Sequence, residues 1–153
     1  MLKNSRIAPA KINLSLRVLG KRSDGFHEIE SLMVPLSSAD LGDILFFEPA
    51  ENYRLLCDAP GVPLDETNLI TMAVRKFEQS LGRSCHWEIT LEKKIPHGAG
   101  LGGGSSDAAT TLLALNELEE GGFSNRQLAE MGASFGSDVP FFIYQQACTV
   151  KGR

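Results

Sequence analysis

The densest potential for chemistry in this sequence lies in residues 96–107, which read Pro-His-Gly-Ala-Gly-Leu-Gly-Gly-Gly-Ser-Ser-Asp. Five of the twelve are glycine (Gly98, Gly100, Gly102, Gly103 and Gly104), interleaved with Pro96, His97, Ala99 and Leu101. Glycine costs backbone entropy on ordering, so a folded chain that concentrates it has a use for bare backbone. Without side chains, main-chain N–H groups are open to a bulky anion. Ser105, Ser106 and Asp107 follow, then Ala108, Ala109, Leu112, Leu113, Leu115 and Leu118, which together read as a capping signal and an apolar-faced helix. A glycine loop opening onto a helix N-terminus gathers free N–H donors and the positive end of a helix dipole. The chemistry indicated is phosphate binding. The P-loop pattern is not met, because Gly104 stands where it needs lysine. A dinucleotide fingerprint can be laid over Gly98, Gly100 and Gly103, but it wants a following strand that ends in an acidic residue. Here Glu117, Glu119 and Glu120 end the helix, and residues 121–124 lead into another one. A mobile linker is the remaining alternative, and the hydroxyls and apolar helix that follow at once speak against it.

Other reactive side chains are scattered and ambiguous one by one. Lys11 and Asn13 stand in an alternating segment with Ile12, Leu14, Leu16 and Val18, so they point together, off the core. Phe26 and His27 follow the turn Lys21-Arg22-Ser23-Asp24-Gly25, a pairing that could stack on and hydrogen-bond a ring-shaped ligand. From residue type alone, Phe26 is expected in the core and His27 at the surface. Asn68 reads as a helix cap that alternatively faces a ligand. Asp138 lies between a helix and an apolar run, where a carboxylate is a turn-former or a catalytic group. His97 has no Cys or His at metal-ligand spacing, so no metal site is expected.

The elements that must position these residues follow from periodicity. Strands are expected over residues 11–18, 32–36 and 44–47, and over 53–57 as a hairpin partner of the last. Asp40-Leu41-Gly42-Asp43 reads as punctuation. A helix should begin at Thr67 or Asn68, bury Ile70, Ala73, Val74, Phe77 and Leu81, and stop at Gly82. Trp87, Ile89 and Leu91 mark a strand running into the glycine loop. Ser124 and Gln127 form a capping box for a helix carrying Leu128, Met131 and Phe135. Phe141 to Tyr144 reads as a strand, and residues 149–153 as a strand entering a turn.

Composition bounds the function class. One domain's worth of chain, 153 residues with 42% hydrophobic and 22% charged, suits a globular protein. A formal charge of −4 gives no basic excess for a nucleic-acid partner, yet is compatible with a small phosphorylated ligand. Cys57, Cys85 and Cys148 form no C-x-x-C pair and are expected as free thiols in a reducing compartment. With no signal-peptide core and no stretch able to span a bilayer, a cytoplasmic protein without a membrane partner is expected.

Four separated motifs resemble one family. Pro9-Ala10-Lys11-Ile12-Asn13-Leu14 is similar to the first motif of the galactokinase, homoserine kinase, mevalonate kinase and phosphomevalonate kinase superfamily, and residues 96–106 look like its nucleotide loop. Arg22-Ser23-Asp24-Gly25-Phe26-His27 and the turn from Gly136 to Phe142 resemble the branch acting on cytidine diphosphate-linked methylerythritol. The resemblance implies an α+β fold: a two-layer sandwich with a left-handed β-α-β unit. Residues 1–153 are then a truncated N-terminal ATP-binding kinase domain, its C-terminal domain missing. It implies phosphorylation by ATP, with Mg²⁺, of a small-molecule substrate at the carbon-2 hydroxyl, in non-mevalonate isoprenoid synthesis. Asp138 would be the general base, with Lys11 its cationic neighbour. Ser105, Ser106 and the rest of the loop, with Asn68, would hold the nucleotide, while Asn13, Phe26 and His27 would hold the substrate. Phe26 departs from the tyrosine of many members, keeping the stacking face and losing a hydroxyl. The alternatives are a superfamily kinase with another small hydroxyl substrate, such as homoserine or a mevalonate, and a non-catalytic nucleotide-binding module. A dinucleotide-dependent oxidoreductase ranks last.

Overall fold

In chain order the elements are strand β1 (Ser5–Pro9), β2 (Lys11–Lys21), β3 (His27–Pro35), β4 (Gly42–Pro49), β5 (Arg54–Leu56), helix α1 (Leu69–Leu81), β6 (Trp87–Glu92), α2 (Gly103–Leu118), α3 (Asn125–Ala133), α4 (Val139–Tyr144) and β7 (Cys148–Gly152). The computed structural model describes residues 4–36 and 41–152; Asp40 and Arg153, used in the sequence reading, lie outside them. The mixture is α+β. One sheet runs β1-β4-β6-β5 and a second runs β2-β3-β7.

The core forms where the four-stranded sheet meets the helices. Leu45 pairs with Leu91 and Phe47 with Ile89 across β4 and β6, and all four are buried. They meet Ile70, Val74 and Phe77 of α1 and Leu112 and Leu115 of α2 in one cluster. Each such side chain stabilises the fold by about 1.5–3 kcal/mol. Helix α1 starts as its sequence dictates: the Asn68 side chain accepts from the Ile70 N–H at 2.8 Å, and left-handed Gly82 ends it. Helix α2 is buried nearly all round between Ser106 and Leu115, as a central helix must be. It packs against α1, α3, α4 and β1.

Five sequence expectations are corrected. Strand β2 forms, but Leu14, Leu16 and Val18 are 61%, 60% and 63% exposed while Lys11 is buried. Alternation states which side chains share a face, not what covers that face, and here no helix packs substantially against β2 among the described residues. Phe26, expected in the core, is 56% exposed at the tip of that hairpin, where its carbonyl accepts from the Arg22 N–H at 2.7 Å. Strand β5 pairs in parallel with β6 rather than as a hairpin with β4, because α1 carries the chain across before β6 begins. Residues 141–144 are helical: Pro140 suits a first turn that needs no N–H, and a short apolar run does not distinguish a buried helix from a strand. Helix α2 begins at Gly103, with no side-chain cap, so Ser105 lies inside the first turn instead of ahead of it.

Candidate active site

The first residue of β2 and the residue preceding α4 meet. Lys11 Nζ lies 3.7 Å from Asp138 Oδ2, an ion pair at the edge of the core: the Lys11 side chain is 9% exposed and that of Asp138 38%. A lysine so enclosed keeps its charge compensated by hydrogen bonds. It donates to Asn13 Oδ1 at 2.5 Å; Asn13 Nδ2 donates to Ser31 Oγ at 2.7 Å; Ser31 Oγ donates to the Ser15 carbonyl at 2.8 Å. The relay fixes the ammonium and leaves one Asp138 face open. Asp138 also borders a groove of about 380 Å³ lined by Met33, Phe141, Tyr144 and Val150 among others.

The glycine loop closes over the other side of Lys11. The Leu101 carbonyl accepts from the Lys11 N–H at 3.0 Å. Gly102, the residue before α2, has a φ of 73°, and a Cβ there would lie 2.8 Å from the Phe142 ring and 3.1 Å from Lys11 Cγ. Only glycine combines that backbone angle with that proximity. The first helical hydrogen bond runs from Ser106 N–H to the Gly102 carbonyl at 2.9 Å, so the amides of Gly103, Gly104 and Ser105 have no carbonyl one turn back. Residues 96–105 line a cavity of about 240 Å³ around these amides. Ser106 does not line it: the residue is buried, and its Oγ has no hydrogen-bond partner among the described residues. The polar-amide cradle suits an anion with several oxygens.

Beneath the loop is a charged cluster that sequence reasoning did not assign. Asp43, at the head of β4, is fully buried and accepts from the backbone N–H groups of Lys94 and Ile95 at 2.6 and 2.8 Å. Lys93 Nζ donates to Asp43 Oδ2 and, at 3.1 Å, to Asp107 Oδ2. Burial works against the Lys93 ammonium, but the two carboxylates outweigh it and hold its pKa above the ordinary value. Burial pushes Asp107 up to about 8, with Lys93 pulling down and Asp43 pushing up. In the sequence Asp43 reads as loop punctuation, and the one signal available is a carboxylate directly ahead of a strongly apolar strand. Ser31, the end of the Lys11 relay, looks like any polar residue on a strand face.

The structure thus brings Lys11, Asn13, Asp138 and the loop together. Asn68 borders an adjoining cavity while its own amide is occupied, accepting from Ile70 N–H and donating to the Pro63 carbonyl at 2.6 Å. Phe26 and His27 stand at the far end of the hairpin, where His27 pairs with Lys21. At about 3.3 Å per residue, that is on the order of 30 Å along β2 from Lys11. Among the described residues no three His, Cys, Asp or Glu side chains gather as metal ligands, and no helix is long and apolar enough to cross a membrane.

Comparison with known proteins gives a consistent picture. The family model "GHMP kinases N terminal domain" matches residues 68–146. A 4-diphosphocytidyl-2-C-methyl-D-erythritol kinase of Pseudomonas syringae pv. syringae is 48% identical over 147 residues, covering 95% of this chain and 51% of the relative. A chloroplastic kinase of the same name from Mentha piperita is 45% identical over 149 residues, covering 95% and 36%. The chain thus spans about half the length of the bacterial relatives it matches, or less for the plant one. Among solved structures, a 4-(cytidine 5'-diphospho)-2C-methyl-D-erythritol kinase superposes with a TM-score of 0.81 at 40% identity, over 97% of this chain and 52% of that one. The Methanococcus jannaschii mevalonate kinase, at 14% identity and a TM-score of 0.71 over 96% and 53%, shares the fold.

Proposed function

This chain belongs to the GHMP kinase family as its N-terminal domain, and we propose that it transfers the γ-phosphoryl group of ATP to the carbon-2 hydroxyl of 4-diphosphocytidyl-2-C-methyl-D-erythritol. One observation carries the reading: Lys11 is held at once against Asp138 and against the loop of free amides. The loop amides and the α2 N-terminus bind the phosphates, and the base extends into the adjoining cavity beside Asn68. Asp138 accepts the proton of the attacking hydroxyl. The Lys11 ammonium offsets charge on the developing alkoxide and on the transferring group, while the Asn13–Ser31 relay keeps it in place. Mg²⁺ ordinarily sits on ATP's own oxygens with one or two carboxylates and water, which does not require a dedicated cage. Beside this site, the groove at Met33, Phe141 and Tyr144 offers room for the acceptor. Phe26 and His27 would take the cytosine, which requires the hairpin tip to approach the groove.

The test grafts residues 1–153 in place of the matching half of the Pseudomonas syringae relative and measures ADP release with three acceptors. Release with the cytidylated substrate, and not with homoserine or mevalonate, is the expected result. Release with another acceptor would move the assignment within the family. ATP binding without transfer to any of them would leave a nucleotide-binding module.

A further inference from the structure

The buried ion cluster beneath the loop takes no part in the proposed transfer, yet it joins the two ends of the loop. Strand β6 ends at Glu92, which pairs with Ile44 of β4, so the amides of Lys94 and Ile95 lie beyond the last strand pairing. Asp43 Oδ1 accepts from both of them, at 2.6 and 2.8 Å, and holds the chain as it leaves the sheet for the loop. Its other oxygen, Oδ2, accepts from Lys93, whose ammonium also donates to Asp107 on α2, the helix that follows the loop. The start of that helix rests on the same residues: a Cβ on Gly103 would lie 3.0 Å from both Lys93 Nζ and Ile95 Cγ2. Asp43 itself is fully buried and lines neither cavity beside the loop. A buried ion pair is weak evidence for stability, since apolar side chains of similar volume often serve as well. What apolar side chains cannot do is accept three hydrogen bonds from two directions.

We propose that Asp43 is a positioning residue for the phosphate cradle: it sets the spacing between the loop's entry at Lys94 and Ile95 and its exit at Gly103, and so aims the amides of Gly103, Gly104 and Ser105 at one anion. The inference rests on the reading of the loop as the triphosphate site, and adds a residue that acts on that site without touching its ligand. Amide donors stabilise a phosphate most when they are oriented before it arrives. The residue type is specific to the task. Three N–H donors converge on Asp43 from two sides, and a carboxylate presents an acceptor oxygen to each side. Asparagine has one oxygen and must turn its own N–H₂ toward either the two amides or the Lys93 ammonium. Glutamate keeps both acceptors and the charge but displaces them by one methylene.

The test compares the dissociation constants of ATP and AMP, by equilibrium titration, for wild type, Asp43→Asn and Asp43→Glu, with urea unfolding to establish that each variant is folded. The two nucleotides share base, ribose and first phosphate, so their ratio isolates the grip on the outer phosphates. Charge and position predict opposite signs for Asp43→Asn. Removing a negative charge from beneath the cradle would by itself tighten ATP, whereas losing the spacing weakens it. The expected result is ATP weakened by about tenfold or more in Asp43→Asn and severalfold in Asp43→Glu, with AMP within about threefold of wild type. ATP that binds Asp43→Asn unchanged or tighter overturns the inference. So do ATP and AMP weakened alike, which is what a general loosening of the fold produces. Wild-type affinity in Asp43→Glu would make the role one of charge, and overturns it too. Hydrogen exchange on wild type needs no variant: Lys94 is exposed and outside any strand, yet its amide should exchange as slowly as those of β6. Exchange there at the rate of a free loop amide means that Asp43 holds nothing. In each overturning case wild type still binds ATP, and the triphosphate reading stands; failure of wild type to bind ATP would remove both.

Discussion

Lys11 and Asp138 are 127 positions apart in sequence and 3.7 Å apart in space. The separation matters for how each should respond to substitution. Asp138→Asn keeps the shape and the junction with α4 but cannot take a proton. It should lower kcat in the grafted enzyme by about 10²–10⁴-fold while leaving ATP affinity within about threefold. Steady-state rates alongside an ATP titration would read both quantities. Lys11→Met keeps most of the buried volume and removes the charge that faces the transferring group, so it should lower kcat by about 10²–10³-fold. If Asp138→Asn weakened ATP binding as much as turnover, its role would be to build the site rather than to move a proton.

The loop and the start of α2 act as one unit whose geometry depends on Gly102. An alanine there would have to hold a left-handed backbone and place its Cβ against the Phe142 ring. Gly102→Ala should therefore cost about 2–4 kcal/mol in urea unfolding, from the backbone and the overpacking together. Gly104 makes the contrast. A Cβ there would meet only Leu69 Cδ1 at an ordinary 3.6 Å, so Gly104→Ala should change stability by less than about 1 kcal/mol. It would nevertheless put a methyl group on the exposed floor of the cradle and weaken ATP binding. The same unit shows where reading by pattern succeeds. Trp87 to Leu91, then glycines, then an apolar helix, specify strand, loop and helix whatever else the chain does. Helix α2 starts earlier than the sequence suggests, because Ser105 and Ser106 resemble caps while Gly102, which actually turns the chain, has no side chain to advertise it.

The molecule as a whole carries a pH signature. Asp107 titrates higher in the folded protein than in the unfolded chain. Its contribution to stability is thus fully present below the unfolded value and is lost as pH rises through about 8. Melting curves between about pH 5 and about pH 8 should show wild type losing stability relative to Asp107→Asn, by at most about 1.4 kcal/mol per pH unit. A difference between the two proteins that stays flat across this range would mean that Asp107 is ionised throughout. Elsewhere the architecture divides into a well-covered body and the β2–β3 hairpin, whose Leu16 and Val18 are left mostly exposed.

Periodicity and turn chemistry alone determined neither β1 nor the helical state of residues 141–144, but they did determine the strands from β2 to β7, the capped helices α1 and α3 and the glycine loop that runs into α2. These are local: a cap, a glycine or a repeat of two or 3.6 acts within a few residues of itself. Residue identity also named Lys11, Asn13 and Asp138 as suspects, each beside a bland alternative: a solvated strand face for the first two, and for Asp138 a turn-former, which residue type alone ranks first. Three matters waited for the fold, because each depends on what lies across the chain. Burial of Lys11 comes from the loop and α4 closing around it, and exposure of the β2 apolar face reflects that no helix packs substantially against it among the described residues. Asp43, Lys93 and Asp107 form one cluster because β4, β6 and α2 converge there, a meeting of segments 50 and 14 residues apart that no local pattern encodes.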